Sequence, residues 1–324
     1  MLRIDLRADN SDSRLKLKRD LASGLGENCS RQLGFRSLDE TGLRLHAFSV
    51  GGSLTVAVAH EGRVACLSNV ACTLGRRDKP YPEAHDSTAW TIALVRRGAF
   101  RYRAASTNRA HDLRPGWLLL GPPNAGFECS HESDAGDECT SLAISQEVVL
   151  DVASHAPAIL SVPPALPPHP RVTALLERAR RHPGVDVDEL AYLVAEAVAA
   201  RTSGAPIVDV YCHHSHNSRV RDALDRIESA CQDPLSLTKL ANWAGISPFH
   251  FLRVFRRMTG TTPHQYLLGT RVRLAIRMLL DTKRPVTEIA YDVGFQDLSN
   301  FVRTFHRLVG CSPGAYRRGE HFKH

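Results

Sequence analysis

The sequence predicts an α+β protein of two domains, in which an N-terminal antiparallel β-barrel with accompanying helices precedes a C-terminal all-α domain with two helix-turn-helix units. Two observations carry this prediction: short apolar runs alternate with turn signals from about Leu43 to Val149, and one helical unit occurs twice after Ser218. The 324 residues, 43% of them hydrophobic, are enough for a core in each domain. The predicted boundaries are 1–160 for the β-rich domain, 161–205 for a helical packing or dimerisation segment, 206–217 for a linker and 218–324 for the helical domain.

Four apolar runs predict strands of the first domain: Leu54–Val58, Thr91–Val95, Gly98–Tyr102 and Trp117–Leu120. The residues between them are typical of turns and comprise Gly51-Gly52, Arg97-Gly98, Arg114-Pro115-Gly116 and Gly121-Pro122-Pro123-Asn124. Short strands at this spacing favour an antiparallel sandwich or barrel. The preceding residues 1–25 are polar, and we expect them to be mobile.

A proline-rich segment and two helices follow the predicted barrel. Six prolines lie from Pro157 to Pro170, which predicts a connector. The helices are expected at about Arg171–Arg181 and Asp186–Thr202. The second helix carries an apolar stripe at helical spacing: Leu190, Leu193, Val194, Ala197 and Val198. Such a stripe packs either on the chain's own sheet or on a second copy of the chain.

The helical domain contains one unit in two copies. Leu240-Ala241 and Gly245-Ile246 in the first copy correspond to Ile289-Ala290 and Gly294-Phe295 in the second. Both copies continue with Phe, Gly, Pro and Tyr at identical spacing, at positions Phe255, Gly260, Pro263, Tyr266 and Phe305, Gly310, Pro313, Tyr316. A small Ala where two helices cross and a Gly in the turn are typical of a helix-turn-helix.

Six helices are predicted in this domain: Ser218–Cys231, Leu237–Ala244, a helix capped by Ser247-Pro248 and ending at Thr259, Pro263–Leu280, Val286–Val293 and Asp297–Val309. Ser at the N-cap and Pro at the first helical position are favoured helix starts. The long central helix is about 27 Å in length. This is close to one turn of DNA, about 34 Å, so the two units could enter successive major grooves.

The charge distribution supports a polyanionic partner for the repeated segment. From Ser218 onward there are 17 Lys and Arg against 9 Asp and Glu, whereas residues 1–217 hold 24 basic and 25 acidic residues. The basic excess therefore lies entirely on the helical domain, as is expected of a domain that binds nucleic acid. Two helix-turn-helix units on such a domain predict recognition of duplex DNA.

The segment Pro234–Arg318 resembles the DNA-binding domain of the AraC/XylS family of bacterial transcription regulators. The matching residues are Leu237-x-x-Leu240-Ala241, Ser247-Pro248-Phe249-His250-Phe251, Arg253-x-Phe255-Arg256, Gly260-x-x-Pro263-x-x-Tyr266, Arg271-x-x-x-Ala275, Ile289-Ala290, Gly294-Phe295, Phe301-x-x-x-Phe305 and Gly310-x-Ser312-Pro313. The upstream half resembles the cupin-like sensor domain of many members, through Arg96-Arg97-Gly98 with Phe100 and through Gly136-Asp137-Glu138-Cys139-Thr140.

The resemblance implies which residues face DNA: Phe249, His250, Leu252, Arg253 and Arg256 in the first unit, and Leu298, Ser299, Asn300 and Arg303 in the second. Arg253 suits a bidentate contact with guanine, Asn300 a contact with adenine, and Arg303 guanine or phosphate. Arg257, Arg307 and the N-terminal amides of both helices suit phosphate. Leu252 and Leu298 could instead pack internally or contact thymine methyl groups.

The cupin-like resemblance raises the alternative of a metal-dependent enzyme. The cupin metal pattern needs His-x-His, then Glu, then a later His. His85-Asp86-Ser87 supplies one histidine where two are needed, and Trp117–Leu120 supplies none. We therefore expect no catalytic site, no enzymatic activity and no cofactor.

A second regulatory hypothesis involves metal or thiol chemistry. Cys72, His85, His131 and Cys139 have side chains that bind soft or borderline metals. They predict a metal- or thiol-responsive sensor if the sheet brings them together. The 8 cysteines include no C-x-x-C pair, and free cysteine is also a common core residue. A small organic effector bound by the N-terminal domain is the preferred hypothesis.

Together these observations predict a cytoplasmic transcription regulator that binds double-stranded DNA at a promoter or operator. We expect an activator that contacts RNA polymerase, responds to a small-molecule effector and forms a homodimer. No apolar stretch reaches the ~18–20 residues that span a bilayer, and the N-terminal residues lack a secretory apolar region, so no membrane partner is expected.

Overall fold

The computed structural model describes residues 36–37, 43–50, 53–72, 81–85, 88–106, 109–131, 136–182, 184–202 and 214–320. It confirms the predicted α+β class, with antiparallel β-sheets first and a helical domain after them. The predicted mobile residues 1–25, the turn at Gly51-Gly52 and residues 206–213 of the predicted linker lie outside the described residues.

The strands are β1 (Arg36–Ser37), β2 (Leu43–Val50), β3 (Ser53–Glu61), β4 (Ala65–Cys72), β5 (Tyr81–Ala84), β6 (Ala89–Arg97), β7 (Phe100–Ala104), β8 (Arg109–Leu113), β9 (Leu118–Gly121), β10 (Gly126–His131), β11 (Asp137–Ser145) and β12 (Ala165–Leu166). In the described residues they form an eight-stranded sheet, ordered β1-β2-β3-β4-β11-β6-β9-β12, and a four-stranded sheet, ordered β5-β10-β7-β8. The four predicted apolar runs overlap β3, β6, β7 and β9.

The proline-rich segment is more than a connector. It contains a short 3₁₀ helix at Pro157–Ser161, and β12 pairs with β9 so that Ala165 lies opposite Leu119. The Pro164 carbonyl also accepts a hydrogen bond from the Leu120 amide at 2.9 Å. These backbone bonds fix the start of the next helix against the edge of the larger sheet.

The helices are α1 (Gln146–His155), α2 (Pro170–Arg181), α3 (Val187–Thr202), α4 (His214–Ser229), α5 (Leu237–Trp243), α6 (Pro248–Thr259), α7 (Pro263–Asp281), α8 (Val286–Asp292), α9 (Leu298–Val309) and α10 (Pro313–Arg318). Helix α4 begins four residues before the predicted start at Ser218. Among the described helices, none is long and apolar enough to cross a membrane.

The apolar stripe of α3 packs within its own domain. Leu190, Val194, Ala197 and Val198 are buried in one core with the sheet residues Leu94 and Leu142. Helix α1, which starts at the N-cap Ser145, adds buried valines to the same core. The chain's own sheet therefore covers this stripe, which is the first of the two alternatives predicted for it; the other was packing on a second copy of the chain.

Helix α2 belongs to both domains. Val172 and Leu176 are fully buried in the N-terminal core, whereas Ala174 is buried in the core of the second helix-turn-helix unit. Because one rigid helix contributes to both cores, movement of the sheet relative to the helical domain would disturb packing on both sides of α2.

Candidate nucleic-acid interface

Each repeated unit forms a helix-turn-helix. In the first, α5 positions α6 through the four residues 244–247; in the second, α8 positions α9 through the five residues 293–297. The turn glycines Gly245 and Gly294 have φ of 64° and 95°, a left-handed conformation that favours glycine. We call α6 and α9 the reading helices, because they occupy the position of the helix that enters the DNA groove.

The inner faces of the two units carry the same aromatic cluster. In the first unit Phe251, Phe255 and Tyr266 follow one another at ring-centroid distances of 5.5 and 5.7 Å. In the second unit Phe301, Phe305 and Tyr316 do so at 5.7 and 5.8 Å. These six side chains are buried. Offset and edge-on aromatic packing at such distances orients each reading helix and leaves its opposite face to solvent.

The outer face of the first reading helix is basic and carries an exposed aromatic ring. Arg253, Arg256 and Arg257 are exposed, and Phe249 is 88% exposed. His250 and Leu252 are half-buried at the margin of this face. A Phe so exposed at the start of a helix contributes nothing to the core, which suits contact with an apolar base edge such as a thymine methyl group.

The outer face of the second reading helix is more polar and less basic. Ser299, Asn300, Arg303 and Arg307 are exposed. Leu298 is half-buried and packs against the core of its own unit, which favours the packing alternative for this residue. The exposed His306 stands where the first unit has Arg256 and was not among the predicted DNA-facing residues; the repeat itself, applied residue by residue, could have found it.

Two side chains shape the N-terminus of the second reading helix. The Asp297 carboxylate caps the helix by accepting a hydrogen bond from the Asn300 amide at 2.7 Å, whereas Ser247 caps the first helix. A carboxylate at this position disfavours the phosphate contact that the sequence predicted for both helix N-termini. The Thr304 hydroxyl, one turn along the helix, donates to the side-chain oxygen of Asn300 at 3.3 Å. This bond orients the side-chain amide of Asn300.

The tyrosine that ends each aromatic cluster contacts the upstream domain. The Tyr266 hydroxyl accepts a hydrogen bond from the Trp117 indole at 3.4 Å and donates to the Glu228 carboxylate at 2.7 Å. The Tyr316 hydroxyl donates to the Ala174 carbonyl of α2 at 2.9 Å. Burial raises the pKa of both phenols, so both remain neutral donors.

Ion pairs extend the contact between the domains. Arg114, which is buried beside the end of β8, pairs with Asp225 of α4, and Arg221 of α4 pairs with Asp112. On the side of the second unit, Arg181 of α2 donates to Asp281 at the end of α7, at 2.7 Å. The upstream domain therefore contacts both units, the first through α4 and Tyr266 and the second through Asp281 and Tyr316.

A helix-turn-helix domain family model matches residues 240–319, which include both units except α5's first turn. The regulatory protein SoxS of Escherichia coli K12 is 32% identical to the chain over 103 residues, which are 32% of the chain and 96% of SoxS. The chain belongs to the AraC/XylS family. That family consists of DNA-binding transcription regulators, and the repeated helical domain is the family's DNA-binding domain.

Other relatives of this AraC/XylS regulator match over the same region. The HTH-type transcriptional regulator GlxA of Rhizobium meliloti is 38% identical over 95 residues, which are 29% of each chain. The solved DNA-binding domain of AdpA in complex with a target DNA is 32% identical and covers 33% of the regulator and 93% of that domain, with a TM-score of 0.29. The regulator spans between 27 and 37% of the length of the first curated relatives.

The four predicted metal ligands of the regulator lie on different strands or strand ends. Cys72 ends β4 opposite Asp137, and His131 ends β10 opposite Phe100; the side chains of Cys72 and His131 lie outside the described residues. Cys139 is buried in the core between the sheets. Within the described part of the chain, no three His, Cys, Asp or Glu side chains are grouped to hold a metal ion.

His85 is held in an aromatic environment. Its imidazole stacks on Phe127 at a centroid distance of 4.4 Å, and its Nε2 atom lies 3.1 Å from the Tyr102 hydroxyl. Desolvation by burial lowers the pKa of His85 to about 4, so the ring is neutral near pH 7. A neutral imidazole hydrogen-bonded to a phenol stabilises the contact between the strands that carry these rings.

Proposed function

We propose that the regulator reads duplex DNA in a sequence-specific manner through α6 and α9, and that its N-terminal domain controls this reading in response to a small-molecule effector. One observation carries the proposal. In each unit the reading helix has an exposed polar face, and the tyrosine behind that helix contacts the upstream domain. The proposed DNA-facing residues are Phe249, His250, Leu252, Arg253, Arg256, Arg257, Leu298, Ser299, Asn300, Arg303 and Arg307.

Base readout is assigned to the exposed side chains near the start of each reading helix. Arg253 and Arg303 occupy equivalent exposed positions, and a guanidinium can donate two hydrogen bonds to one guanine. Asn300, held by Thr304, is suited to adenine. Arg257 and Arg307, further along the same faces, are assigned to phosphate, which fixes register without specifying sequence.

The spacing of the units supports simultaneous entry into two grooves. The connecting helix α7 has 19 residues and is therefore about 28 Å long. With one reading helix near each end of α7, the two faces are separated by close to one turn of B-DNA, about 34 Å. We propose that both units bind the same face of one duplex.

Control by the upstream domain is assigned to the contacts at Tyr266 and Tyr316. Each tyrosine packs against the aromatic side chains that orient a reading helix, and each hydroxyl bonds to a residue of the upstream domain. An effector that favours one arrangement of that domain would therefore bias both reading helices.

The proposal includes a homodimer that activates transcription through contact with RNA polymerase and performs no catalysis. The AraC/XylS membership supports these parts. In the N-terminal domain, burial of Cys139 in the core and the engagement of His85 by Phe127 and Tyr102 favour an organic effector over a metal or thiol signal.

The deciding experiment is selection of bound sequences from a random DNA library, at about 150 mM salt, with the full-length protein. We expect a two-part motif whose half-elements lie about 10 base pairs apart, since each unit reads one major groove. Salt-sensitive binding without any motif would contradict sequence-specific reading. The metal content and free thiols of the same sample are measured in parallel, and stoichiometric metal would contradict the organic effector.

A further inference from the structure

A polar cleft of about 380 Å³ lies between the sheet and the helical domain. One wall is the end of β6 with the turn at Gly116, and the other is formed by α2, α4 and α7. The charged side chains that line it are Arg96, Arg97, Arg273, Arg277, Glu177 and Glu228. Arg96 and Arg97 both pair with Glu138, at 3.4 and 3.5 Å. The lining guanidinium groups left without a carboxylate partner among the described residues are therefore those of Arg273 and Arg277, in a space of small-molecule size.

Arg273 has a buried charge that the described protein groups do not balance. The residue is 7% exposed, and its Nη1 atom is buried without a hydrogen-bond partner. Among the described residues the guanidinium makes one hydrogen bond, a long one from Nη2 to the Thr270 hydroxyl at 3.4 Å. Among the described residues, no carboxylate oxygen lies within 4 Å of the guanidinium. A buried cation without a counter-ion costs several kcal/mol, which an anion in the cleft would offset.

The surroundings of Arg273 increase the demand for negative charge. Arg277 lies one turn further along α7, and desolvation together with the charge of Arg273 lowers the pKa of Arg277. On the α2 wall, the Thr173 hydroxyl is buried and makes no hydrogen bond in the described structure. A guanidinium pair and a free hydroxyl are donors that suit phosphate or carboxylate oxygens.

The two glutamates of the cleft are already engaged. Burial raises the pKa of Glu177, but the charges of Arg181, Arg96 and Arg180 outweigh burial and hold that pKa below its ordinary value. Glu177 is therefore ionised and shared among three arginines other than Arg273. Glu228 accepts the hydrogen bond from Tyr266. Neither carboxylate neutralises Arg273 at contact distance.

We propose that this cleft binds a small organic anion with at least two negative charges, carried by phosphate or carboxylate groups. Arg273 and Arg277 bind the anion from α7, and the Thr173 hydroxyl binds it from α2, whereas Arg96 and Arg97 stay paired with Glu138. Because the opposite wall of the cleft is the end of β6 and the turn at Gly116, the anion stabilises the contact between the sheet and the helical domain. Its effect on DNA reading, but not its binding, rests on the proposed function above.

The test is isothermal titration of the full-length protein with pyrophosphate and, separately, with citrate. Acetate at matched ionic strength is the control for unspecific ion effects. We expect saturable binding of at least one multivalent anion. The relative affinities for pyrophosphate and citrate show whether the cleft prefers phosphate or carboxylate groups. Arg273→Gln and Arg277→Gln should each weaken binding at least about tenfold. Lys283→Gln, which removes the same charge from an exposed position beyond α7, should leave binding unchanged.

Two results would overturn the anion site: no saturable binding of either probe, or binding that is the same in the Arg277→Gln protein as in the wild type. Arg277 lines the cleft but is more exposed than Arg273, so its variant keeps the test valid if Arg273→Gln misfolds. The library selection without added anion is read separately. If the selection yields a DNA motif but no anion binds, only the proposed anion site is wrong. If an anion binds but no motif is selected, only the proposed DNA specificity is wrong.

Discussion

The two helix-turn-helix units share an inner face and differ on the outside. Both bury the same aromatic cluster, ending in Tyr266 or Tyr316, but the first reading helix has a neutral Ser247 cap and three exposed arginines. The second has an Asp297 cap, two exposed arginines and two small polar side chains. Packing against α7 restricts the inner positions, whereas the outer positions are free to differ. We propose that both units read bases, and that the first unit contributes more of the electrostatic affinity for DNA because its reading helix exposes one arginine more and has a neutral cap.

The largest effect is expected from the equivalent arginines. Arg253→Ala should cost roughly 1–3 kcal/mol on a cognate site and relax one base position, because a bidentate guanine contact is lost. Arg303→Ala should relax a base position in the other half-element. Binding is measured on cognate and single-substituted duplexes over a range of salt concentrations.

A matched variant, Arg307→Ala, is expected to weaken binding to all DNA sequences equally. It should also lower the slope of log K against log salt concentration by about 1, as is expected when one phosphate contact is lost. If Arg253→Ala behaves in the same way as Arg307→Ala, Arg253 contacts phosphate alone.

The next effect concerns the tyrosines that join each unit to the upstream domain. Tyr266→Phe should destabilise the protein by about 1–3 kcal/mol, because Glu228 loses a buried donor and Trp117 an acceptor. Tyr316→Phe removes a single bond to the Ala174 carbonyl and should cost about 1 kcal/mol. Urea unfolding measures the free energy of unfolding of each variant.

DNA binding of the same two variants tests whether these contacts also transmit regulation. We expect each variant to change affinity for the half-element of its own unit more than for the other. Equal changes at both half-elements would show that the tyrosines act only through global stability.

An exchange of helix caps should produce a smaller effect. Asp297→Ser removes a negative charge from the N-terminus of the second reading helix and should raise DNA affinity a few-fold, by up to about 1 kcal/mol. Ser247→Asp should lower affinity by a similar amount, and both residues keep their capping role. Titration at two salt concentrations checks this, since the difference between caps should shrink at high salt. A gain in affinity from Ser247→Asp would contradict the assignment of this end to phosphate.

The smallest effect is expected from Thr304→Val, which keeps the shape of a buried side chain but removes the donor to Asn300. It should cost about 0.5–1 kcal/mol on DNA with adenine at the Asn300 position and almost nothing on other sequences. Asn300→Ala is the reference for complete loss of that contact. If Thr304→Val weakens binding to all DNA sequences equally, Thr304 does not act by orienting the Asn300 side chain.

Local sequence signals predicted the helix starts of the two repeated units well. The helix starts at Pro248 and Pro263 agree with the predicted ones because Pro and capping residues act within one turn of the chain. The start at Val286 also agrees, although no side chain caps that helix. Helix α1 was missed, because its Val148-Val149 pair resembles a strand and its helical form depends on burial of those valines against the sheet.

The sequence by itself determined the α+β class, the two units, the location of the positive charge and the exposed arginines of each reading helix. These follow from periodicity, spacing and side-chain chemistry, which are properties of short segments. Only the tertiary structure decided that α3 covers its own sheet, that α2 is shared by two cores, that both tyrosines contact the upstream domain and that Arg273 is buried without a counter-ion. Each of these depends on which distant segments meet, and the free energy of those contacts is not encoded in any local pattern.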